Sequence, residues 1–176
     1  MADSKTLIYW LDATGPEDFD EIVRLTLIDA GNKVLFNHVF STRVVDWWYS
    51  DLNGIKPEDT YKEFSFEKYK SEIQAIFNKA NKLITFNPTI NYLKQQGITI
   101  SSNTLIKDLA DYFRVLGDKN DTIDNLCTYY GYPLPDNIYQ RTGLDYAQAI
   151  NFCWHEMNVY RQEQENLTTK KEHLKN

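Results

Sequence analysis

Few side chains in this sequence have the types and spacing to do chemistry, and most of them are acids or amides. Asp12 and Thr14 close an apolar run just before Gly15-Pro16, Asn87 and Asn91 lie on either side of Pro88, and Gln140 and Arg141 precede Asp145. Carboxylates bind hard divalent cations, amide oxygens are neutral donors, and a guanidinium is a fork for phosphate oxygens. Other reactive constellations fail on spacing. Cys127 and Cys153 form neither a Cys-x-x-Cys pair nor a zinc-type Cys/His cluster, and they read as buried thiols. The stretch WHEMN starts like a His-Glu-x-x-His zinc motif, but Val159 occupies the second histidine position. A Gly-rich phosphate loop and a Gly-x-Ser-x-Gly elbow are both missing. His38 and His155 stand alone and read as structural. Trp47, Trp48 and Tyr49 are consecutive, so they cannot all face inward. Core packing or a partner surface is expected of them first, and stacking on a base second.

The chain that must position these groups has 176 residues and 20.7 kDa, which fits one domain with a core of its own. Its 42% hydrophobic and 14% aromatic content excludes wholesale disorder. No run approaches the roughly 18 apolar residues of a membrane helix, and MADSKTLIYW lacks the plan of a secretory signal, so a soluble cytoplasmic protein without membrane attachment is expected. The net charge of −6 and pI near 5.1 disfavour non-specific binding to a polyanion. They do not exclude a metal-dependent nuclease, whose ligand carboxylates stay acidic until the ions arrive.

Hydrophobic patterning supplies the elements. TLIYWL at 6–11, RLTLIDA and KVLFNHVFST, the last two joined by Ala30-Gly31-Asn32, predict an antiparallel three-strand meander. Phe66, Tyr69, Ile73, Ile76, Phe77 and Ala80 repeat at helical spacing behind a Ser65 cap. KLITF at 82–86 is a strand ending at Asn87-Pro88, and a brief helix follows up to Gly97. Leu105, Leu109, Tyr112, Phe113 and Leu116 predict a helix, as do Ile123, Leu126, Cys127 and Tyr130. A last helix runs from Gly143 to about Tyr160, after which RQEQENLTTKKEHLKN reads as a frayed, charged tail. The expected architecture is α/β, a mixed sheet flanked by helices, with a domain at 1–160 and a tail at 161–176.

LDATG before DEIVRLTLID, LNGIKPEDT before FSFEKYKSEIQAIF, LITFNPTINYL, and DNLCTYYGYPLPDNIYQRTGLDYAQAINF occur in that order. Together they resemble the DnaQ-like (DEDD) 3′–5′ exonuclease superfamily, of ribonuclease H-like fold, over residues 6–158. The first is similar to the family's Asp-x-Glu-Thr-Thr-Gly strand end, and the second to its Gly-Ile turn and following helix. The third is similar to His-Asn-x-x-Phe-Asp, and the last to His-x-x-x-x-Asp-Ala. The resemblance implies two Mg²⁺ or Mn²⁺ ions about 3.5–4 Å apart, four acidic ligands, and a His or Tyr acting on the attacking water.

Aligned on Thr14-Gly15, Trp10 stands at the first Asp and Asp12 at the Glu; with a two-residue deletion, Asp12 is the first Asp instead. Either way the neighbour of Asp12 on its strand face is no carboxylate, being Trp10 or Thr14. Asn87 keeps the family Asn, Phe86 replaces the His or Tyr, and Asn91 stands where an acid belongs. Asp145 matches the final Asp, Gln140 takes the place of the base, and Arg141 falls where the Tyr variant has its hydroxyl. On this mapping two of four acids remain and the proton acceptor is gone, which alone costs on the order of 10²- to 10⁴-fold. Bland readings compete: Asp12 as a turn cap, Asp145 as a first-turn acid, Asn91 and Gln140 as structural polar groups. The expectation is a protein whose two-metal hydrolysis is weak or lost. It would bind a single-stranded DNA or RNA end through Trp10, Thr14, Asn87, Arg141 and Trp48, or bind a protein partner. Two alternatives stand beside it: a divergent exonuclease holding Mg²⁺ or Mn²⁺ on Asp12 and Asp145 with help from Asp18, Asp20 or Asp108, and a pure interaction scaffold.

Overall fold

The structure is a computed structural model that describes residues 5–44, 47, 49–115 and 122–173. The apolar runs read above become β1 (Thr6–Ala13), β2 (Ile22–Asp29), β3 (Val34–Val39) and β4 (Lys82–Thr85), joined by β5 (Leu105–Asp108) in one sheet of order β3-β2-β1-β4-β5. The first three strands are antiparallel, while β4 runs parallel to β1 and β5 parallel to β4. This is the mixed α/β sheet the sequence predicts.

Strand alternation divides the core in two. Leu7, Tyr9 and Leu11 of β1 pack with Leu25 and Leu27 against α2 (Phe66–Phe77) and α3 (Ile90–Gln95). Ile8 and Trp10 point to the opposite face, which is covered by α4 (Leu109–Val115), α5 (Ile123–Tyr130) and α6 (Gly143–His173). Tyr146, Ile150, Cys153 and Met157 form the buried stripe of α6, spaced by four, three and four residues as a helix requires. A four-residue α1 (Ser50–Asn53) leads from the β3 side back towards the end of β1.

Two elements differ from the sequence reading. Leu105 lies on β5, not in the helix predicted from it, and α4 starts only at Leu109; Leu116 lies outside the described residues. Four residues are too short for periodicity to separate strand from helix, and pairing with β4 decides the matter. Asp108 marks the switch, its Oδ1 accepting the Ala110 N–H at 2.9 Å. The predicted frayed tail is helical to His173. It is built of good helix formers with no Gly or Pro to stop it, although residues 161–169 are all exposed. No helix among the described residues is long and apolar enough to cross a membrane.

Candidate functional site

Asp12 sits on the α6 face of β1, directly opposite Arg24 of β2, at a bulge that makes Val23 the extra residue on β2. Cross-strand neighbours of opposite charge attract, and here the contact is an ion pair: Arg24 Nε donates to Asp12 Oδ2 at 2.6 Å. Asp12 is 7% exposed and Arg24 5%. Trp10, two residues earlier on the same face, donates its Nε1–H to the same Oδ2 at 2.8 Å. Arg24 also donates to the carbonyls of Arg141 at 3.1 Å and Asn53 at 3.2 Å. Burial pushes the Asp12 carboxyl up, and the Arg24 charge and hydrogen bond, then the Trp10 bond, oppose it.

The start of α6 reaches this point because Gly143 lies flat on β2. A Cβ there would stand 2.0 Å from Thr26 Oγ1. Tyr146 then stacks on Trp10, with ring centres 4.1 Å apart and planes 10° from parallel. The guanidinium carbons of Arg24 and Arg141 lie 5.6 Å and 5.8 Å from the centre of the same Tyr146 ring, within cation–π range. Arg141 is itself tied down, donating Nε–H to Pro135 O and Nη2–H to Asp124 Oδ1, each at 2.6 Å. The bond to Asp124 raises its pKa further above the usual arginine value.

Asp145 points elsewhere. Its Oδ2 accepts the Thr142 N–H at 2.6 Å and the Thr142 hydroxyl at 2.9 Å, and its own N–H donates to Thr142 Oγ1. That reciprocal arrangement is a capping box at the start of α6. Gln140 is exposed on a short 3₁₀ turn (Ile138–Gln140).

On the other side of Trp10, the end of β4 borders a cavity of about 250 Å³ lined by Trp10, Thr85, Phe86, Asn87, Thr89 and Ile123 among others. Asn87 adopts a left-handed φ of 54° and donates its N–H to Asp108 Oδ1 at 2.8 Å. Asn91 is exposed in the first turn of α3. Thr14 is buried and donates to Asp20 Oδ1 at 2.7 Å; Asp20 Oδ2 accepts the Glu17 N–H, which folds the β1–β2 loop. The acids held in reserve by the sequence reading are thus at work in turns: Asp20 and Asp108 on backbone amides, and Asp18 at the surface near Gln95. Trp47 packs with Val23 and Ile55, whereas Trp48 lies outside the described residues. Among the described residues, no group of three or more His, Cys, Asp or Glu side chains is arranged to hold a metal ion.

No protein-family model matches the chain, and no curated protein matches it by sequence. Solved structures do. The catalytic unit (protease and nuclease domain) of Neurospora crassa Pan2 superposes with a TM-score of 0.71 at 12% identity, covering 94% of this chain and 29% of that one. Exonuclease I in complex with an inhibitor gives 0.68 at 12% identity, over 87% of this chain and 41% of that one. The chain therefore spans less than half the length of these two. A full-length 3′-exonuclease gives 0.63 at 12% identity, over 89% of this chain and 82% of that one. The fold is that shared by these exonuclease structures.

Of the residues around the third motif, Tyr146 and Arg141 are brought together with Trp10 and Arg24, whereas the Asp145 carboxylate is turned to Thr142. The cavity beside Asn87 takes Trp10 into its lining, but neither Tyr146 nor Asp145. Both registers of the first motif keep Asp12, and the structure gives its carboxylate Trp10 and Arg24 as partners. Arg24 escaped notice altogether, although a lone charge inside IVRLTLID, a strand buried on both faces, asks for a partner.

Proposed function

We propose that this chain is a non-hydrolysing DnaQ-like protein that holds a single-stranded nucleic-acid end in the cleft between Trp10 and Asn87. One observation carries the reading: the Asp12 carboxylate is neutralised inside the sheet by Arg24 at 2.6 Å. Two-metal hydrolysis needs anionic oxygens free to bind two cations. Here the donor set is one carboxylate already shared by a guanidinium and an indole, beside an aromatic stack, and it does not fit Mg²⁺ or Mn²⁺. A pocket with four uncompensated acids repels phosphate until metals arrive. The lining of this cleft carries no charged side chain, and Asp12 next to Trp10 is paired with Arg24, so binding of an end needs no metal. The Trp10, Phe86 and Asn87 lining offers apolar surface and amide hydrogen bonds to a terminal nucleotide.

The test is a set of fluorescence anisotropy titrations with end-labelled single-stranded RNA and DNA, in Mn²⁺ and in EDTA, with gel analysis of the same samples. Binding equal in both buffers, no shortening, and weaker binding by Asn87→Asp, which adds a negative charge to the cleft, are expected. Mn²⁺-dependent shortening would restore the divergent-exonuclease reading. No binding to either strand would leave the fold as a scaffold for a protein partner.

A further inference from the structure

A second cavity, of about 660 Å³, opens at the opposite end of the sheet, between the start of β1, the β2–β3 turn and the end of α2. Lys5, seven residues before Asp12 on an extended chain, places it roughly 23 Å from the cleft at about 3.3 Å per residue. Its volume is within the roughly 300–1,000 Å³ of small-molecule sites. Lys5, Lys33 and Lys79 stand around it, and among the described residues none of the three ammonium groups is in an ion pair. The one acid in the lining, Asp29, spends Oδ1 on the Gly31 and Lys33 amides at 2.9 Å each and so shapes the turn. Three cations against one anion make this end locally positive on a chain of net charge −6. Leu7, Leu35 and Ile76 supply the apolar wall, and no aromatic ring lines the cavity. Base stacking has no platform here, whereas a saturated chain has both a wall and a cationic rim.

We propose that this cavity binds an aliphatic anion, a carboxylate or phosphate ester on a saturated chain. The chain lies against Leu7, Leu35 and Ile76, and the head group sits among Lys5, Lys33 and Lys79. The charge complementarity is one of position, since the head meets three donors and the tail meets none. The site is independent of the nucleic-acid cleft.

The test follows amide shifts of the ¹⁵N-labelled full chain during titration with octanoate and with octyl phosphate, with octanol and inorganic phosphate as controls. Expected are saturable shifts at Leu7, Leu35 and Ile76, with octanol and inorganic phosphate each at least tenfold weaker. The tighter of the two anions identifies the head group. Lys33→Glu combined with Lys79→Glu, both exposed positions, should weaken octanoate at least tenfold and leave nucleic-acid binding unchanged. Shifts centred on Trp10, octanol as good as octanoate, or no saturable shift would each overturn the proposal. So would binding to anionic phosphatidylglycerol vesicles without any response to octanoate, because that describes attraction to a charged membrane surface and not a site for a single aliphatic anion.

Discussion

Replacing Arg24 by Met removes the one cation facing a buried carboxylate while keeping most of the side-chain volume. Asp12 would be left with the Trp10 Nε1–H as its neighbour on that oxygen, and the carbonyls of Arg141 and Asn53 would each lose a donor. Removing one partner of a buried pair costs about 3–5 kcal/mol, which for a chain of this size is roughly 10 °C in Tm at about 2–4 °C per kcal/mol. Asp12→Leu should cost a similar amount, because it strands the guanidinium. The double variant Asp12→Leu/Arg24→Met removes both charges. Its cost is the orphaned Trp10 indole and two carbonyls, at about 1 kcal/mol each, offset by apolar packing, so it should be more stable than either single variant. Urea denaturation of all four proteins at pH 7 gives the coupling energy directly. The pH dependence gives a second check. In Arg24→Met the carboxyl, already pushed up by burial, rises further above its unfolded value. A group raised in the folded state contributes its full stability below the unfolded pKa and loses it as pH climbs through the folded one. The deficit of Arg24→Met is therefore largest near neutrality and shrinks towards pH 4. A single-variant cost below about 1 kcal/mol, or a deficit that grows on acidification, would refute the claim that this pair holds the site.

Three further outcomes follow from local geometry. Asp145→Ala removes the capping box of α6 and should cost about 1 kcal/mol in denaturation while leaving nucleic-acid binding unchanged, since its carboxylate is committed to Thr142. Gly143→Ala forces a methyl against Thr26 and should cost about 1–3 kcal/mol, part of which Thr26→Ala returns; calorimetry of the two single variants and the double variant measures this. Truncation after Arg161, which keeps its guanidinium 4.2 Å from the Tyr112 ring centre, removes helix that is exposed at every position from 162 to 169, and should change the unfolding free energy by no more than about 0.5 kcal/mol.

The meander, α2, β4 and α5 were legible because each carries several turns or strand repeats of apolar pattern, and burial follows that pattern closely. β5 was not, because four residues hold too little periodicity and its pairing with β4 comes from tertiary context. The helical stretch of α6 beyond Tyr160 was misread because a missing apolar stripe says that a segment is unpacked, not that it is uncoiled. In the cleft, side-chain identity was legible and partnership was not. Nothing local to Asp12 announces that a residue twelve positions later neutralises it, because the register of β1 on β2, with a bulge at that point, decides which side chains face each other.

That register also makes the contacts around Asp12 a set, not independent pairs. A carboxylate at Asp12 buried without a cation would carry the desolvation cost alone; Arg24 opposite meets it, and Arg24 in turn needs acceptors, which the Arg141 and Asn53 carbonyls supply. Arg141 stays close because Asp124 and Pro135 fix its own guanidinium, and Tyr146 fills the space between the two arginines while its ring closes over Trp10. Trp10 completes the loop by donating to Asp12. Each group satisfies another within the protein, so the pocket reaches electrical balance without a bound cation. Adding one acid would unbalance this cluster. A single substitution such as Tyr146→Asp should therefore lower stability without producing Mn²⁺-dependent cleavage, and cleavage from that variant would show that one added acid beside Asp12 is enough to hold a working metal.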